Sequence, residues 1–260
     1  MQMPSTISFP DWRNKVPKVT LSFWIIKIMS TTVGETGADY LTVNAGLGKA
    51  VTGSAMAALL ALALFQQLRA RRCVPWIYWL TVVLVSVVGT QITDALTDGL
   101  GVSLYLSTTV FAVLLAAIFA VWYWRERTLS IQQIYKGRRE WFYWTAILCT
   151  FALGTAAGDL ATEALGLGFQ WGVVAFGALI ALTMLAFHLG ANSVLTFWTA
   201  YILTRPLGAS LGDLLSQSPE YDGLGMGAMH TSILFLSIIT VLVVLAQRNA
   251  NQAASTATAQ

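Results

Sequence analysis

The chain has 260 residues, 56% of them hydrophobic and only 10% charged, with 15 Lys and Arg against 12 Asp and Glu for a net charge of +3. A soluble domain carries about 25% charged residues, so this composition excludes an ordinary soluble enzyme or nucleic-acid binder and reads as a polytopic, all-α membrane protein. The positive charge lies in loops, which makes it a topology signal and not a nucleic-acid footprint.

Residues 1–19 contain Pro4, Pro10 and Pro17 among scattered charges with no apolar h-region, and read as a tail without a cleavable signal. Eight spans follow, at 20–43, 49–68, 76–97, 103–124, 141–163, 169–189, 194–215 and 226–247. Each is close to the roughly 20 residues that a hydrocarbon core requires. They group into four units, 20–68, 76–124, 141–189 and 194–247, within one transmembrane domain of 20–247. The tail 248–260, rich in Ala, Thr, Asn and Gln, is expected to be disordered. Cys73 stands beside a basic loop and Cys149 in mid-helix, so neither points to a disulfide framework.

One pattern occurs in every unit: an aromatic, Trp, nine residues, Gly, four residues, Asp, two residues, and Thr or Ser. Its copies are Phe23-Trp24, Gly34, Asp39, Thr42; Tyr78-Trp79, Gly89, Asp94, Thr97; Tyr143-Trp144, Gly154, Asp159, Thr162; and Phe197-Trp198, Gly208, Asp213, Ser216. Each leads into a Gly-Leu-Gly, at 46–48, 99–101, 166–168 and 223–225, which separates the two spans of the unit. At 100° per residue, with Trp at zero, Gly falls at about 280°, Asp at about 60° and Thr or Ser at about 0°, on one face. The Asp lies about 22 Å above the Trp along the helix. The tryptophans are expected in an interfacial belt or in packing, and the glycines in close helix contacts.

Basic residues orient the units. Arg13, Lys15 and Lys18 precede the first span; Arg69, Arg71 and Arg72 follow the second; Arg125, Arg127, Lys136, Arg138 and Arg139 follow the fourth; Arg248 follows the eighth. The opposite loops hold Lys49 with Asp98, Glu163, Glu220 and Asp222. The positive-inside rule places both termini in the cytoplasm and the Gly-Leu-Gly turns outside, so the units run parallel as four helical hairpins about a pseudo-four-fold axis.

With its four-fold Trp-Gly-Asp spacing, the chain resembles a group of bacterial membrane proteins built from four tandem repeats of unknown function, each with two transmembrane regions and a marked tryptophan. The resemblance covers about residues 20–247 and implies the architecture but no activity; the expected location is the bacterial inner membrane, with both termini cytoplasmic. Unit four departs from it with Arg205-Pro206 ahead of Gly208, and unit two with a shortened run into its Gly-Leu-Gly.

Candidate chemistry therefore rests on residues. Carboxylates inside a membrane are costly and usually functional. Asp39, Asp94, Asp159, Asp213 and Glu35 face only two intramembrane bases, Lys27 and Arg205. With Thr42, Thr97, Thr162 and Ser216 they form an all-oxygen set that suits a hard divalent cation such as Mn²⁺ or Mg²⁺. The expected function is transport of such a cation, as exporter or exchanger, with protons as the candidate coupling ion, no covalent cofactor and the bilayer as the other partner. Two alternatives stand: a binding or sensory module with an acidic outer face, and an organic-cation transporter using an aromatic cage. The lesser reading of the Asp-x-x-Thr segments is as caps of the following helices, which would need one acid per turn where units one to three carry two. Arg205 is expected to pair with a motif Asp, and Lys27 to snorkel to the cytoplasmic boundary. His188 and His230 are expected at the interface or in the core, not as ligands. No nucleophile–base arrangement appears, so catalysis is not expected.

Overall fold

A computed structural model of the chain describes residues 14–44 and 49–258, and among these it contains helices and turns but no strand. Eight α-helices appear: α1 Leu21–Asp39, α2 Lys49–Arg69, α3 Pro75–Asp94, α4 Leu104–Glu126, α5 Arg138–Asp159, α6 Phe169–His188, α7 Ser193–Ser216 and α8 Ala228–Thr258. Their starts carry the expected signals. Thr20 accepts a hydrogen bond from the Phe23 N–H, Ser103 from that of Leu106, and Asn192 from those of Val194 and Leu195, while Pro75 opens α3. The second glycine of each described Gly-Leu-Gly turn, Gly101, Gly168 and Gly225, has φ of 68°, 73° and 73°. Only glycine adopts that backbone freely, which accounts for its recurrence. The first such turn, Gly46–Gly48, lies outside the described residues, as does the tail up to Arg13.

Hydropathy and burial sort the helices into two classes. Six are long and apolar enough to cross a membrane: α2, α3 with its extension to Gly99, α4, α5 with its extension to Ala164, α6 and α8. In α3 and α5, 67% and 61% of the most apolar window is buried, against 22%, 17%, 11% and 22% in α2, α4, α6 and α8. The second group presents its apolar side chains outward, as lipid-facing helices do. The remaining two, α1 and α7, are long enough but carry Lys27, Glu35 and Arg205 and are largely buried.

Inner helices α1, α3, α5 and α7 pack in a closed order, α1 on α3, α3 on α5, α5 on α7 and α7 on α1. The outer helices do not pack as the expected hairpins. Instead α2 lies chiefly on α3, α4 on α5, α6 on α7 and α8 on α1, so each outer helix covers the inner helix of the next unit. A turn of several residues leaves the second helix free to swing, and the neighbour's inner helix still has an uncovered apolar face to bury.

Two terminal expectations are corrected. From residue 248 the chain stays helical to Thr258, because α8 meets no Gly or Pro after Gly227 and continues through Ala, Gln and Arg, which are good helix formers. Lys15 is a buried residue and not a loop charge: it pairs with Glu140 at the start of α5 and donates to the Gln67 carbonyl near the end of α2 at 2.6 Å. Burial lowers its pKa from the usual lysine value, and Glu140 opposes that shift. This contact fixes the chain start, the end of α2 and the start of α5 at one end of the bundle.

Candidate functional site: an acidic cluster among the inner helices

The motif glycines are the seams between inner helices. A Cβ on Gly34 would collide with Ser86, one on Gly89 with Phe151, one on Gly154 with Arg205, and one on Gly208 with Thr31. In each case the residue met stands three positions before the next unit's own glycine, and unit four meets unit one. The rings repeat this order. Phe23 packs on Trp79, Tyr78 on Trp144, Tyr143 on Trp198 and Phe197 on Trp24, with centroids 5.2, 5.6, 6.2 and 5.6 Å apart. Trp79, Trp144 and Trp198 are buried and pack the interior, while Trp24 is half-buried, so of the two expectations packing describes at least three of the four.

Gly154 makes room for Arg205, whose side chain enters the middle of the four helices. Its Nη2 donates to Glu35 Oε2 at 2.6 Å and to the Thr90 hydroxyl, and its Nη1 donates to the Thr31 carbonyl at 3.2 Å. The expected pairing of Arg205 with a motif Asp is thus corrected: the guanidinium reaches Glu35, one turn below Asp39. Thr31 itself donates to the Thr204 carbonyl at 3.0 Å, tying α1 to α7 beside this pair.

Lys27 does not snorkel. It is 1% exposed, its Nζ lies 4.0 Å from the Phe151 ring centroid and 4.3 Å from that of Tyr201, and it has no hydrogen-bond partner. A side chain that reaches inward from one turn inside the helix cannot also reach the boundary.

Above Arg205 the acids gather. Carboxylate oxygens of Glu35, Asp39 and Asp213 lie within 4.8 Å of one another, a spacing at which one cation can be shared. Asp94 stands within electrostatic reach of Glu35 and Asp39, and Asp159 of Glu35 and Asp94, so all five predicted acids surround one region, although only three are in mutual ligating range. Asp213 is buried, while Asp39, Asp94 and Asp159 are half-buried. Among the described residues none of the four aspartates forms an ion pair with Lys or Arg.

The caps lie elsewhere. Helix α4 is capped by Ser103 and α6 starts from Gly168 without a side-chain cap, so Asp94-x-x-Thr97 and Asp159-x-x-Thr162 do not cap them. Thr97 donates to the Thr93 carbonyl and Thr162 to that of Gly158, both one turn back. Ser216 Oγ is buried without a partner. In units one to three the helix switches to a π-helical turn right after the motif Asp, at Tyr40–Asn44, Ala95–Gly99 and Leu160–Ala164, and Thr42 lies in the first of these. Such turns are rare and cluster at functional sites. Unit four has instead Pro206 inside α7. His188 and His230 are both exposed.

A family profile described as "Repeat of Unknown Function (DUF347)" matches residues 22–73, 77–128, 142–190 and 196–251. The chain belongs to this repeat family. No curated protein and no solved structure matches the chain. Each matched DUF347 unit comprises one inner and one outer helix, from α1 and α2 through to α7 and α8. Two residues outside the motif also hold equivalent places in the DUF347 units and belong to the site. Thr90, which holds Arg205, occupies the place after the motif glycine that Glu35 fills in unit one. Tyr201 occupies in unit four the place of Lys27 in unit one, and the two touch.

Proposed function

We propose that this protein is a bacterial inner-membrane transporter, exporter or exchanger, of a hard divalent cation such as Mn²⁺ or Mg²⁺. In this reading all eight helices span the bilayer about a pseudo-four-fold axis, with both termini cytoplasmic and the Gly-Leu-Gly turns outside. One observation carries it: Glu35, Asp39 and Asp213 stand within 4.8 Å of one another, and among the described residues the one base that pairs with any of them is Arg205, which is engaged by Glu35. Uncompensated carboxylates in low dielectric need a cation, a proton or water. An all-oxygen donor set favours a hard ion over zinc or copper. Exchange of the ion for protons on the same aspartates would supply coupling.

The second reading, a binding or sensory module, is favoured by a different observation: Arg205 and Lys27 occupy the interior beneath the acids. An organic-cation cage has less support, since the rings nearest the interior already hold the Lys27 ammonium.

Thermal unfolding of purified protein against Mn²⁺, Mg²⁺, Ca²⁺, Zn²⁺ and pH tests the site. A bound ion at a hundred times its Kd adds about 2.7 kcal/mol. Asp39→Asn and Asp213→Asn are each expected to abolish that gain while leaving a folded protein. An undiminished response to Mn²⁺ and Mg²⁺ in both variants would sink the cation site. Stabilisation without ion flux into proteoliposomes would favour the binding module.

A further inference from the structure

Two basic side chains cross the centre of the inner helices, and only one of them has an acid to explain it. Helix α1 packs on α3 and α7, and α5 packs on the same two. A side chain that leaves α1 and lies against a ring of α5 therefore crosses the middle of the four. Lys27 does this, with its Nζ 4.0 Å from the Phe151 ring. Arg205 crosses the other diagonal, from α7 to Thr90 on α3, and closes on Glu35 of α1. Along α1 the order from the aromatic end is Trp24, Lys27, Thr31, Glu35 and Asp39, so the two cations lie in succession between the ring girdle and the acidic cluster.

Arg205 has its carboxylate, its hydroxyl and its carbonyl. Lys27 has none of these: it is 1% exposed and its ammonium finds no acceptor. Structural need does not account for it, because Val82 and Ile147 fill the same place in units two and three with plain hydrocarbon. The faces of Phe151 and Tyr201 are what a cation meets there, and they are a weaker substitute for water than a paired anion.

We propose that Lys27 is a tethered cation that closes the bundle axis on the aromatic side of the acidic cluster. This rests on the cation-site reading above. An ion held by Asp39, Asp213 and Glu35 communicates with the Gly-Leu-Gly side, and its way to the aromatic side is barred by Lys27, which occupies the aromatic faces that the ion would next meet and repels it. Passage requires the Lys27 ammonium to withdraw or to lose its proton, which makes Lys27 the gate of a transporter and not one of its ligands.

The test is Mn²⁺ entry into proteoliposomes loaded with a fluorescent chelator, compared with Mn²⁺-dependent thermal stabilisation of the same preparations. Lys27→Met keeps the length and volume of the side chain and removes its charge. It is expected to speed downhill Mn²⁺ entry by about tenfold or more, the consequence of removing one like charge from a low-dielectric passage. Mn²⁺ stabilisation is expected to stay at the wild-type level, because the aspartates are untouched. Lys27→Arg, which keeps the charge, is expected to remain closed; Lys27→Gln serves as the neutral variant if Lys27→Met does not fold. Stabilisation in every protein with wild-type flux in the neutral variant would overturn the gate while leaving the cation site standing. Absence of Mn²⁺ stabilisation in wild type would overturn the cation site and the gate together.

Discussion

Removing the charge of Glu35 and removing that of Asp39 are different perturbations, because only Glu35 has a guanidinium against it. Glu35→Gln leaves the Arg205 charge buried at 1% exposure without its counter-ion. Breaking one side of a buried pair costs about 3 kcal/mol or more, whereas replacing both partners by neutral groups is often tolerated. Glu35→Gln is therefore expected to lower thermal stability by that amount, Asp39→Asn to leave it unchanged or higher without metal, and Glu35→Gln with Arg205→Met to recover much of the loss. Equal stabilities of Glu35→Gln and Asp39→Asn in a detergent melt would show that the ion pair is not the feature holding unit four to unit one. The sequence made the acids legible through their spacing, since Glu35 and Asp39 lie one turn apart on a face shared with the motif. It did not make the partner of Arg205 legible, because that contact joins residues 170 positions apart and depends on how the bundle closes.

At the scale of the helices, hydropathy placed all eight to within a few residues at most boundaries, yet it said little about neighbours. An apolar run states that a helix is buried or lipid-facing, not which helix it meets, so the packing of each outer helix on the next unit was invisible. The π-turns after Asp39, Asp94 and Asp159 were also invisible, since no residue type demands them. The glycines were better signals. Small residues let helices approach closely, and the absence of a Cβ at Gly34 is what admits Ser86 of α3. Gly34→Ala is expected to destabilise by about 1–3 kcal/mol through overpacking. Gly53→Ala on α2, where a Cβ would meet nothing within 4 Å, is expected to be neutral or to stabilise by up to about 1 kcal/mol through helix propensity. The pair isolates the seam from the generic cost of altering a helical glycine. Matching melting temperatures for the two variants would argue that the α1–α3 approach is looser than its geometry.

Across the whole molecule the same unit-to-unit step recurs in two independent layers, the glycine seams and the ring contacts, and in both the fourth unit returns to the first. Such closure explains why α1 and α7 can be polar: each is shielded by neighbours on both sides and by an outer helix, so its charges meet protein and not lipid. It also bears on orientation. Lys15 binds the chain start to the end of α2 and the start of α5, so those three points share an end with the basic segments around Arg72 and Arg125, while Asp98 and Glu163 lie at the other with Lys49, which pairs with Asp98 at 3.4 Å. In the orientation proposed above this basic end faces the cytoplasm, as the positive-inside rule favours. Single cysteines test this, and the structure selects the positions: Gln170 at the start of α6 and Gln132 in the α4–α5 connection are both exposed. In a background lacking Cys73 and Cys149, a membrane-impermeant maleimide is expected to label Gln170→Cys in sealed cells and to label Gln132→Cys only after permeabilisation. Labelling of Gln132→Cys in sealed cells would reverse the orientation and place the acidic cluster nearer the cytoplasm. The cation would then reach its carboxylates from inside, and Lys27 would bar its exit instead of its entry.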